Sequence, residues 1–205
     1  MMDAAGFAAE SGATPAQLAD LARFQALLAE WNQRLSLVSA ASLADFWGRH
    51  AFDSAQLLPL APDARVWVDL GSGAGFPGLV LAILLKDRPG ARVHLVESQA
   101  KKGRFLAVVA AELALPAQVH IARAEDLAIR ADIVTARAVA PLERLLGYAQ
   151  PYLAKGAAGL FLKGQGAEAE IAEARRRWKF HVKHIPSRSD PAGRVLKVEG
   201  LAGVR

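Results

Sequence analysis

The segment from Arg65 to Gly78 reads RVWVDLGSGAGFPG and is the most informative part of the sequence. Its first six residues form a short, mostly apolar run that is typical of a buried β-strand. Four glycines follow within eight residues, and glycine lets a backbone turn tightly and approach a ligand closely. Pro77 suits the first turn of a following helix, where the N–H that proline lacks would have no partner. The segment therefore predicts a strand, a glycine-rich turn and a helix, with a ligand site where the strand ends.

Two nucleoside ligands fit the glycine loop in different registers. From Gly73 to Gly78 the loop contains G-x-G-x-x-G, the dinucleotide fingerprint. Read from Asp69 it is D-x-G-x-G-x-G, and counting from Gly71 the third fingerprint place is taken by Phe76. The second register favours S-adenosylmethionine, because a carboxylate suits its charged amino and sulfonium groups and suits a pyrophosphate badly. A tight turn that holds no ligand is the third interpretation.

Short apolar runs alternate with helical stretches after the first strand. Four further strands are predicted, at residues 92–97, 118–122, 131–136 and 159–163. Such alternation indicates a parallel sheet with right-handed crossovers. Two last strands, 180–185 and 194–198, are joined by a connection too short for a parallel crossover, so we expect an antiparallel pair. The predicted fold is α/β and Rossmann-like, with a mostly parallel seven-stranded sheet that ends in a C-terminal antiparallel hairpin.

Helical spacing dominates the residues before the first strand. Thr14-Pro15-Ala16-Gln17 resembles a capping box, and apolar residues then recur at helical spacing. A second helix is expected to begin near Ser42 and to carry apolar residues as far as Leu58. Near the other end of the chain, a charged helix is expected to run to about Trp178. We therefore predict an N-terminal helical extension, residues 1–62, packed on an α/β domain, residues 63–205.

Composition and net charge limit the kinds of protein and site that this chain can form. The 205 residues are 53% hydrophobic and 22% charged, which is typical of a globular protein. No cysteine is present, so a disulfide, a thiolate metal site and a cysteine nucleophile are excluded. The apolar run from Leu79 to Leu85 is too short to cross a bilayer, and the first residues lack the order of a secretory signal. We expect a cytoplasmic protein without a membrane partner. Its net charge of +5 favours a polyanionic partner.

An acidic residue ends the second predicted strand. Glu97 occupies the place where a carboxylate can accept hydrogen bonds from ribose hydroxyls. Together with the glycine loop, three later segments resemble the bacterial small-subunit rRNA guanine-N7 methyltransferases, also called the glucose-inhibited division protein B family. These segments are Glu97-Ser98-Gln99-Ala100-Lys101-Lys102, Arg123-Ala124-Glu125-Asp126 and Thr135-Ala136-Arg137-Ala138. The resemblance covers most of the chain, from about Trp31 to Lys163.

The resemblance implies the reaction and a role for each matching position. The cofactor would be S-adenosyl-L-methionine, and the methyl acceptor would be N7 of a guanine in the decoding-region loop of 16S rRNA, in free RNA or in the small ribosomal subunit. Separately from the resemblance, we expect a monomer. The implied cofactor-binding residues are Gly71 and Gly73 with Phe76 for methionine and ribose, Glu97 for ribose, Ala124 and Glu125 for adenine, and Arg137, which would also face the guanine.

Guanine N7 carries an exposed lone pair, which proteins read in the major groove as an acceptor. Because this nucleophile need not lose a proton, alignment and exclusion of water can supply the catalysis, and no catalytic base is nominated. Many exocyclic-amine methyltransferases carry an Asn/Asp-Pro-Pro-aromatic motif after the fourth strand. This chain lacks the motif, since that place reads Thr135-Ala136-Arg137-Ala138. His181 and His184 lie close in sequence but lack a further partner at ligand spacing, so we expect no metal site and place both in a strand.

The predicted contacts with RNA depend on basic residues whose presence can also be explained without RNA. The candidates are Arg137, Lys163, Lys101, Lys102 and Arg49. The lysines of the 101–102 pair could equally belong to a solvated helix face, and the run from Arg175 to Lys179 could simply complement a helix dipole. The N-terminal region departs from the family at one place, since Trp31-Asn32 is followed by Ser36-Leu37-Val38 where Asn-Leu-Thr is common. Arg49-His50 and Asp53-Ser54 match the next element of the family pattern. Two other functions stay open: a nicotinamide-dependent oxidoreductase and a noncatalytic RNA-binding module.

Overall fold

The computed structural model describes residues 1–127 and 129–203. Seven strands form one sheet in the order β3-β2-β1-β4-β5-β7-β6. The strands are β1 Val66–Leu70, β2 Arg92–Val96, β3 Ala117–His120, β4 Ile133–Arg137, β5 Ala158–Lys163, β6 Trp178–Pro186 and β7 Arg194–Gly203. The first five are parallel, and β7 is antiparallel to both β5 and β6. The predicted fold class is confirmed.

Helices cover both faces of the sheet. They are α1 Ala4–Ser11, α2 Pro15–Leu35, α3 Ala40–Ala44, α4 Asp53–Ala55, α5 Gly78–Leu84, α6 Ala100–Glu112, α7 Leu142–Leu153 and α8 Ala167–Ala174. A π-helix, Phe46–Phe52, precedes α4, and 3-10 helices span Leu58–Leu60 and Ala124–Asp126. One apolar cluster lies between the sheet and the helices α2, α5 and α6, and a second lies between the sheet and the helices α7 and α8.

Strand order places a crevice at the carboxyl edge of the sheet. The chain passes from β1 to β2 on one side and later enters β4 on the other side of β1. At such a switch point the loops after the two strands diverge, and α/β proteins bind ligands between them. The glycine loop follows β1, and Arg137 ends β4. The topology therefore sets these two features on opposite sides of one crevice.

Predicted bounds of the first five strands agree with the structure to within about two residues, but the helical predictions need correction. The single helix expected from Ser42 is broken into α3, the π-helix, α4 and a 3-10 turn, because Asp45 leaves the helical conformation at φ −102° and ψ 41°. The helix α1 was not predicted. The charged helix ends at Ala174, and Trp178 opens β6, where its Nε1–H donates to the Glu143 carbonyl (3.0 Å). The last strand also extends beyond Val198 to Gly203.

The N-terminal helices pack into the core below the glycine loop. The capping box is present, with Gln17 N–H donating to Thr14 Oγ1 (3.3 Å) and Thr14 N–H to Gln17 Oε1 (3.0 Å). In α2 the fully buried Phe24 contacts Phe76 of the loop and Phe105 of α6, with ring centroids 5.3 and 6.4 Å apart. This helix therefore supports the loop directly, while the boundary at residue 62 remains a prediction.

Asp69 is a carboxylate inside the core. It is fully buried; its Oδ2 accepts the Gly78 N–H (3.1 Å) and its Oδ1 accepts the Thr135 hydroxyl (3.1 Å). A Cβ at Gly78 would lie 2.7 Å from Asp69 Oδ2 and would collide with Leu95. The carboxylate thus joins β1, β4 and the start of α5. It faces backbone and Thr135, which corrects the expectation that it would face the charged groups of a cofactor.

Phe24→Ala should lower the free energy of unfolding by about 3–5 kcal/mol, because it empties a buried aromatic site shared by α2, α6 and the loop. Glu30→Ala, an exposed position of the same helix, should change it by less than about 0.5 kcal/mol. Urea unfolding followed by circular dichroism measures both. Equal effects of the two changes would show that α2 is not part of the core that supports the loop.

The pH dependence of the stability of an Asp69→Asn variant tests the buried carboxylate. Burial raises the pKa of Asp69 to about 7, so between its ordinary value and 7 the native protein holds a proton that the unfolded chain has released. Stability from this group therefore falls as the pH rises through that range. We expect the stability of the asparagine variant relative to the wild type to increase as the pH rises from about 4 to about 7, measured by urea unfolding. A constant difference across that range would contradict the assignment.

Candidate functional site

The glycine loop and the end of β2 are joined by a hydrogen bond. Gly73 has φ +55° and donates its N–H to Glu97 Oε2 (2.9 Å), while Gln99 N–H donates to Glu97 Oε1 (2.8 Å). Each carboxylate oxygen keeps a further lone pair for a ligand hydroxyl. A Cβ built at Gly73 would meet nothing closer than the Gly71 carbonyl oxygen at 3.7 Å. Backbone and open space beside a carboxylate fit a ribose with its attached groups.

The segment after β3 lies at the same edge of the sheet. Ala124 and Glu125 form a 3-10 turn with Asp126, and the Ala124 carbonyl accepts the hydroxyl of Tyr152 (3.0 Å) from α7. Burial, with the nearby charge of Glu125, raises the pKa of Tyr152 to about 12, so the hydroxyl stays a donor. This hydrogen bond from α7 thus fixes the position of the turn. The turn follows β3, the strand that pairs with β2, and an adenine contact by Ala124 and Glu125 stays a prediction.

Arg137 is held by one short stretch of the N-terminal helices. Its Nη1 donates to the Arg49 carbonyl (2.9 Å) and to Asp53 Oδ2 (3.1 Å), and its Nη2 donates to His50 Nδ1 (2.7 Å). The guanidinium carbon also lies 4.9 Å from the centroid of the Phe76 ring. A cation over an aromatic face is attracted by the ring quadrupole. Arg137 is therefore positioned by the π-helix on one side and by the glycine loop on the other.

His50 is a neutral acceptor in this arrangement. Its ring stacks on Phe76 with centroids 4.3 Å apart and an interplanar angle of 10°. Burial, the Arg137 charge and the Arg49 charge lower the pKa of His50 to about 3. Since a guanidinium only donates, Nδ1 accepts and the proton sits on Nε2. Within residues 1–127 and 129–203, Nε2 meets no hydrogen-bond partner.

A cavity of about 1000 Å³ opens beside Arg137. Its walls come from the π-helix and from the ends of β4 and β5, together with the turn between β6 and β7. Three of the predicted RNA residues line it, namely Arg49, Arg137 and Lys163. The glycine loop and Glu97 lie outside its lining. The cavity thus lies at the ends of β4 and β5, whereas the glycine loop, Glu97 and the turn after β3 follow the ends of β1 to β3.

Lys163 is committed to protein groups within the cavity wall. Its Nζ donates to Glu170 Oε2 (2.7 Å) and to the Ala140 carbonyl (2.7 Å), and 10% of its side chain is exposed. One N–H of the ammonium is left for another acceptor. Lys101 and Lys102 begin α6 and do not line the cavity. A phosphate contact by any of these lysines stays a prediction.

Two residues bound to Arg137 were not named as site residues from the sequence. His50 and Asp53 belong to a segment that matches the family pattern, but nothing in their spacing showed that both would bind one arginine 84 to 87 positions later. Phe76 was expected to line the cofactor site; the residue is buried, and its ring contacts His50 and Arg137. A direct contact of its ring with a cofactor remains a prediction.

Two other predictions concern metal and membrane. His181 and His184 both lie in β6, as expected, and His184 Nδ1 contacts Glu168 Oε1 at 2.8 Å. Within the described part of the chain, no group of three or more histidine or acidic side chains is arranged to hold a metal ion. Among the same residues, no helix has the length and apolarity needed to cross a bilayer.

Solved structures of methyltransferases share this fold. The chain is similar to an S-adenosylmethionine-dependent methyltransferase from Aquifex aeolicus, with a TM-score of 0.57 and 12% identity over 86% of this chain and 98% of the other. It is also similar to magnesium protoporphyrin IX methyltransferase from Synechocystis PCC 6803, solved with the same cofactor bound, with a TM-score of 0.58 and 13% identity over 86% and 97% of the two chains.

Sequence relatives are much closer. Ribosomal RNA small subunit methyltransferase G of Caulobacter vibrioides is 60% identical over 205 residues, which span 100% of this chain and 95% of the relative. The protein of the same name from Parvibaculum lavamentivorans is 49% identical over 99% of this chain and 92% of the relative. A sequence model of the GidB family, described as rRNA small subunit methyltransferase G, matches residues 17–194. The chain belongs to the rRNA small subunit methyltransferase G (GidB) family.

Proposed function

We propose that this protein transfers a methyl group from S-adenosyl-L-methionine to N7 of a guanine in 16S rRNA. The observation that carries the proposal is the junction of two sites at one switch point. A glycine loop tied to Glu97 forms one, and a cavity walled by Arg49, Arg137 and Lys163 forms the other. Membership in the rRNA small subunit methyltransferase G family supports both the cofactor and the class of substrate. The choice of N7 rests on the resemblance that the sequence carries.

The residues at the ends of β1 to β3 fit the cofactor. Gly73 supplies open backbone and Glu97 supplies acceptor lone pairs for ribose hydroxyls. Gly71 lies against Val139, so the loop after β4 covers the loop after β1. Ala124 and Glu125 would hold the adenine end. When bound, the cofactor supplies a methyl group that is activated by a sulfonium charge.

The protein side chains then have to position the acceptor and need not remove a proton. Guanine N7 attacks with a lone pair, so no base is required before methyl transfer. His50 supports a reaction without a base. It is neutral, but its basic Nδ1 already accepts a hydrogen bond from Arg137 and is therefore not available to remove a proton. Arg137 supplies a fixed cation with donors to spare at the border of the cavity. Alignment of the reacting atoms and exclusion of water would supply most of the rate enhancement.

The RNA would approach the carboxyl edge of the sheet. Arg49 is exposed at the cavity, and Lys101 and Lys102 lie at the start of α6 beyond Glu97. Cations on one edge would contact phosphates on both sides of a guanine inserted in the cavity. We infer that the substrate is 16S rRNA or the small ribosomal subunit and that the protein works in the cytoplasm, as a monomer.

The decisive experiment is transfer of labelled methyl from S-adenosylmethionine to small subunits from cells that lack this protein, followed by mapping of the modified base. We expect label at N7 of one guanine of 16S rRNA. Label in protein or in other RNA would correct the acceptor. Binding to RNA with no transfer, by protein shown to be folded, would favour the noncatalytic module, and retention of a nicotinamide nucleotide would favour the oxidoreductase.

Gly73→Asp should abolish cofactor binding and reduce methyl transfer at least about 100-fold, because it sets a carboxylate beside Glu97 in the space for the ribose. Calorimetric titration with S-adenosylmethionine measures the binding. Gly12→Asp is the matched control, since Gly12 also has a left-handed backbone (φ +70°) but lies between α1 and α2. The control should bind normally. Normal cofactor binding by Gly73→Asp would remove the loop from the site.

Arg49→Ala should raise KM for small subunits several-fold and leave kcat near the wild-type value. In a plot of the logarithm of the association constant for small subunits against the logarithm of the salt concentration, it should also make the slope shallower by about 1. The reason is the loss of one phosphate contact. Arg92→Ala is the control, because Arg92 is exposed at the start of β2, on the opposite edge of the sheet. Filter binding at several salt concentrations measures both variants. An identical slope for Arg49→Ala and the wild type would exclude a phosphate contact at Arg49.

A further inference from the structure

The guanidinium of Arg137 is clamped by three acceptors from five consecutive residues. The acceptors are the carbonyl of Arg49, Nδ1 of His50 and Oδ2 of Asp53. These contacts use three of the five N–H donors of the guanidinium, so its rotation about the side-chain axis is restricted. Arg137 enters the cavity as a fixed group, with 19% of its side chain exposed.

The three acceptors come from the π-helix and from the residue that follows it. Phe46–Phe52 carries Arg49 and His50, and Asp53 follows it directly. A π-helix adds a residue to each turn, and such insertions occur frequently at functional sites. Here the Arg49 carbonyl accepts from the Arg137 side chain, and the two neighbouring side chains accept from the same guanidinium.

Asp53 connects Arg137 to the turn between β6 and β7, which also lines the cavity. While Oδ2 accepts from Arg137, Oδ1 accepts the Ser189 hydroxyl (2.6 Å) and the Gln56 amide (3.1 Å). Gln56 Oε1 in turn accepts the backbone N–H of Arg188 (2.8 Å). Ser189 and Arg188 belong to the turn between β6 and β7, which lines the cavity. One carboxylate therefore sets both the arginine and this turn.

We propose that His50 and Asp53 are positioning residues for methyl transfer, which fix the orientation of Arg137 in the cavity, and that Asp53 holds the β6–β7 turn in register with that arginine. The proposal rests on the proposed function of the cavity as the guanine site. His50 contributes an acceptor and a stacking surface against Phe76. Asp53 contributes the acceptor on the other side of the guanidinium, together with its opposing charge.

Paired substitutions separate positioning from bulk and charge. At position 50, asparagine places an oxygen where Nδ1 lies, whereas glutamine carries its polar end to the place of Nε2. At position 53, asparagine keeps an acceptor for Arg137 and a polar group for Ser189, whereas alanine keeps neither. We therefore compare His50→Asn with His50→Gln and Asp53→Asn with Asp53→Ala. Asp63→Asn, an exposed position outside the cavity, is the control.

Single-turnover and steady-state methyl transfer to small subunits should show the difference. His50→Gln and Asp53→Ala should lower kcat about 10- to 100-fold, while His50→Asn and Asp53→Asn should recover at least a third of that loss on a logarithmic scale. The Kd for S-adenosylmethionine and KM for subunits should stay within about threefold of the wild type. Equal loss within each pair, or a rise in KM with unchanged kcat, would overturn the positioning role.

A readout without turnover keeps this proposal distinct from the proposed function. In ¹⁵N NMR spectra of arginine side chains, Arg137 of the wild type should show slow rotation of its Nη groups, and Asp53→Ala and His50→Gln should make it fast. Absence of methyl transfer by the wild type would refute the proposed function, whatever the spectra show. Wild-type transfer with full kcat in both disruptive variants would refute positioning and leave the function standing. Thermal unfolding of each variant identifies any that fails to fold, and the other pair then decides.

Discussion

Asp69 is the group on which the carboxyl edge of the sheet depends. A buried carboxyl group that water does not reach needs hydrogen-bond donors from the protein for its oxygens. For Asp69 these donors are the Gly78 N–H and the Thr135 hydroxyl. Those two partners belong to the start of α5 and to β4. The constraint thus closes the glycine loop over the end of β1 and aligns β4 beside it, which sets both sides of the crevice.

The N-terminal helices complete the site that the sheet begins. Phe24 supports Phe76 from below, and the π-helix supplies the acceptors that hold Arg137 above the same ring. A mostly buried cation is costly unless it is paired and hydrogen-bonded, so Arg137 and the π-helix depend on each other. The residues before β1 therefore take part in the site, through Phe76 of the glycine loop and through Arg137.

Local patterns allowed most of the fold to be predicted, for reasons that act over short stretches of chain. The capping box at Thr14 and the apolar runs of the strands depend on neighbouring residues. The break after Asp45 and the end of α8 at Ala174 were missed. At both places, helical spacing continues in the sequence while the chain itself turns. The Trp178 side chain, for example, binds the Glu143 carbonyl from a strand that pairs with β7.

The α/β class, the glycine loop, the acidic end of β2 and the family could be read from the sequence, because each is carried by short contiguous segments whose residue types and spacing are visible without the fold. The pairing of groups that are far apart in the sequence became visible only in the folded protein. The fold buries Asp69 in the core, commits Lys163 to Glu170, and brings His50 and Asp53 to Arg137. These contacts depend on how helices dock on a sheet, and burial decides which charges must be paired. No local pattern encodes that docking.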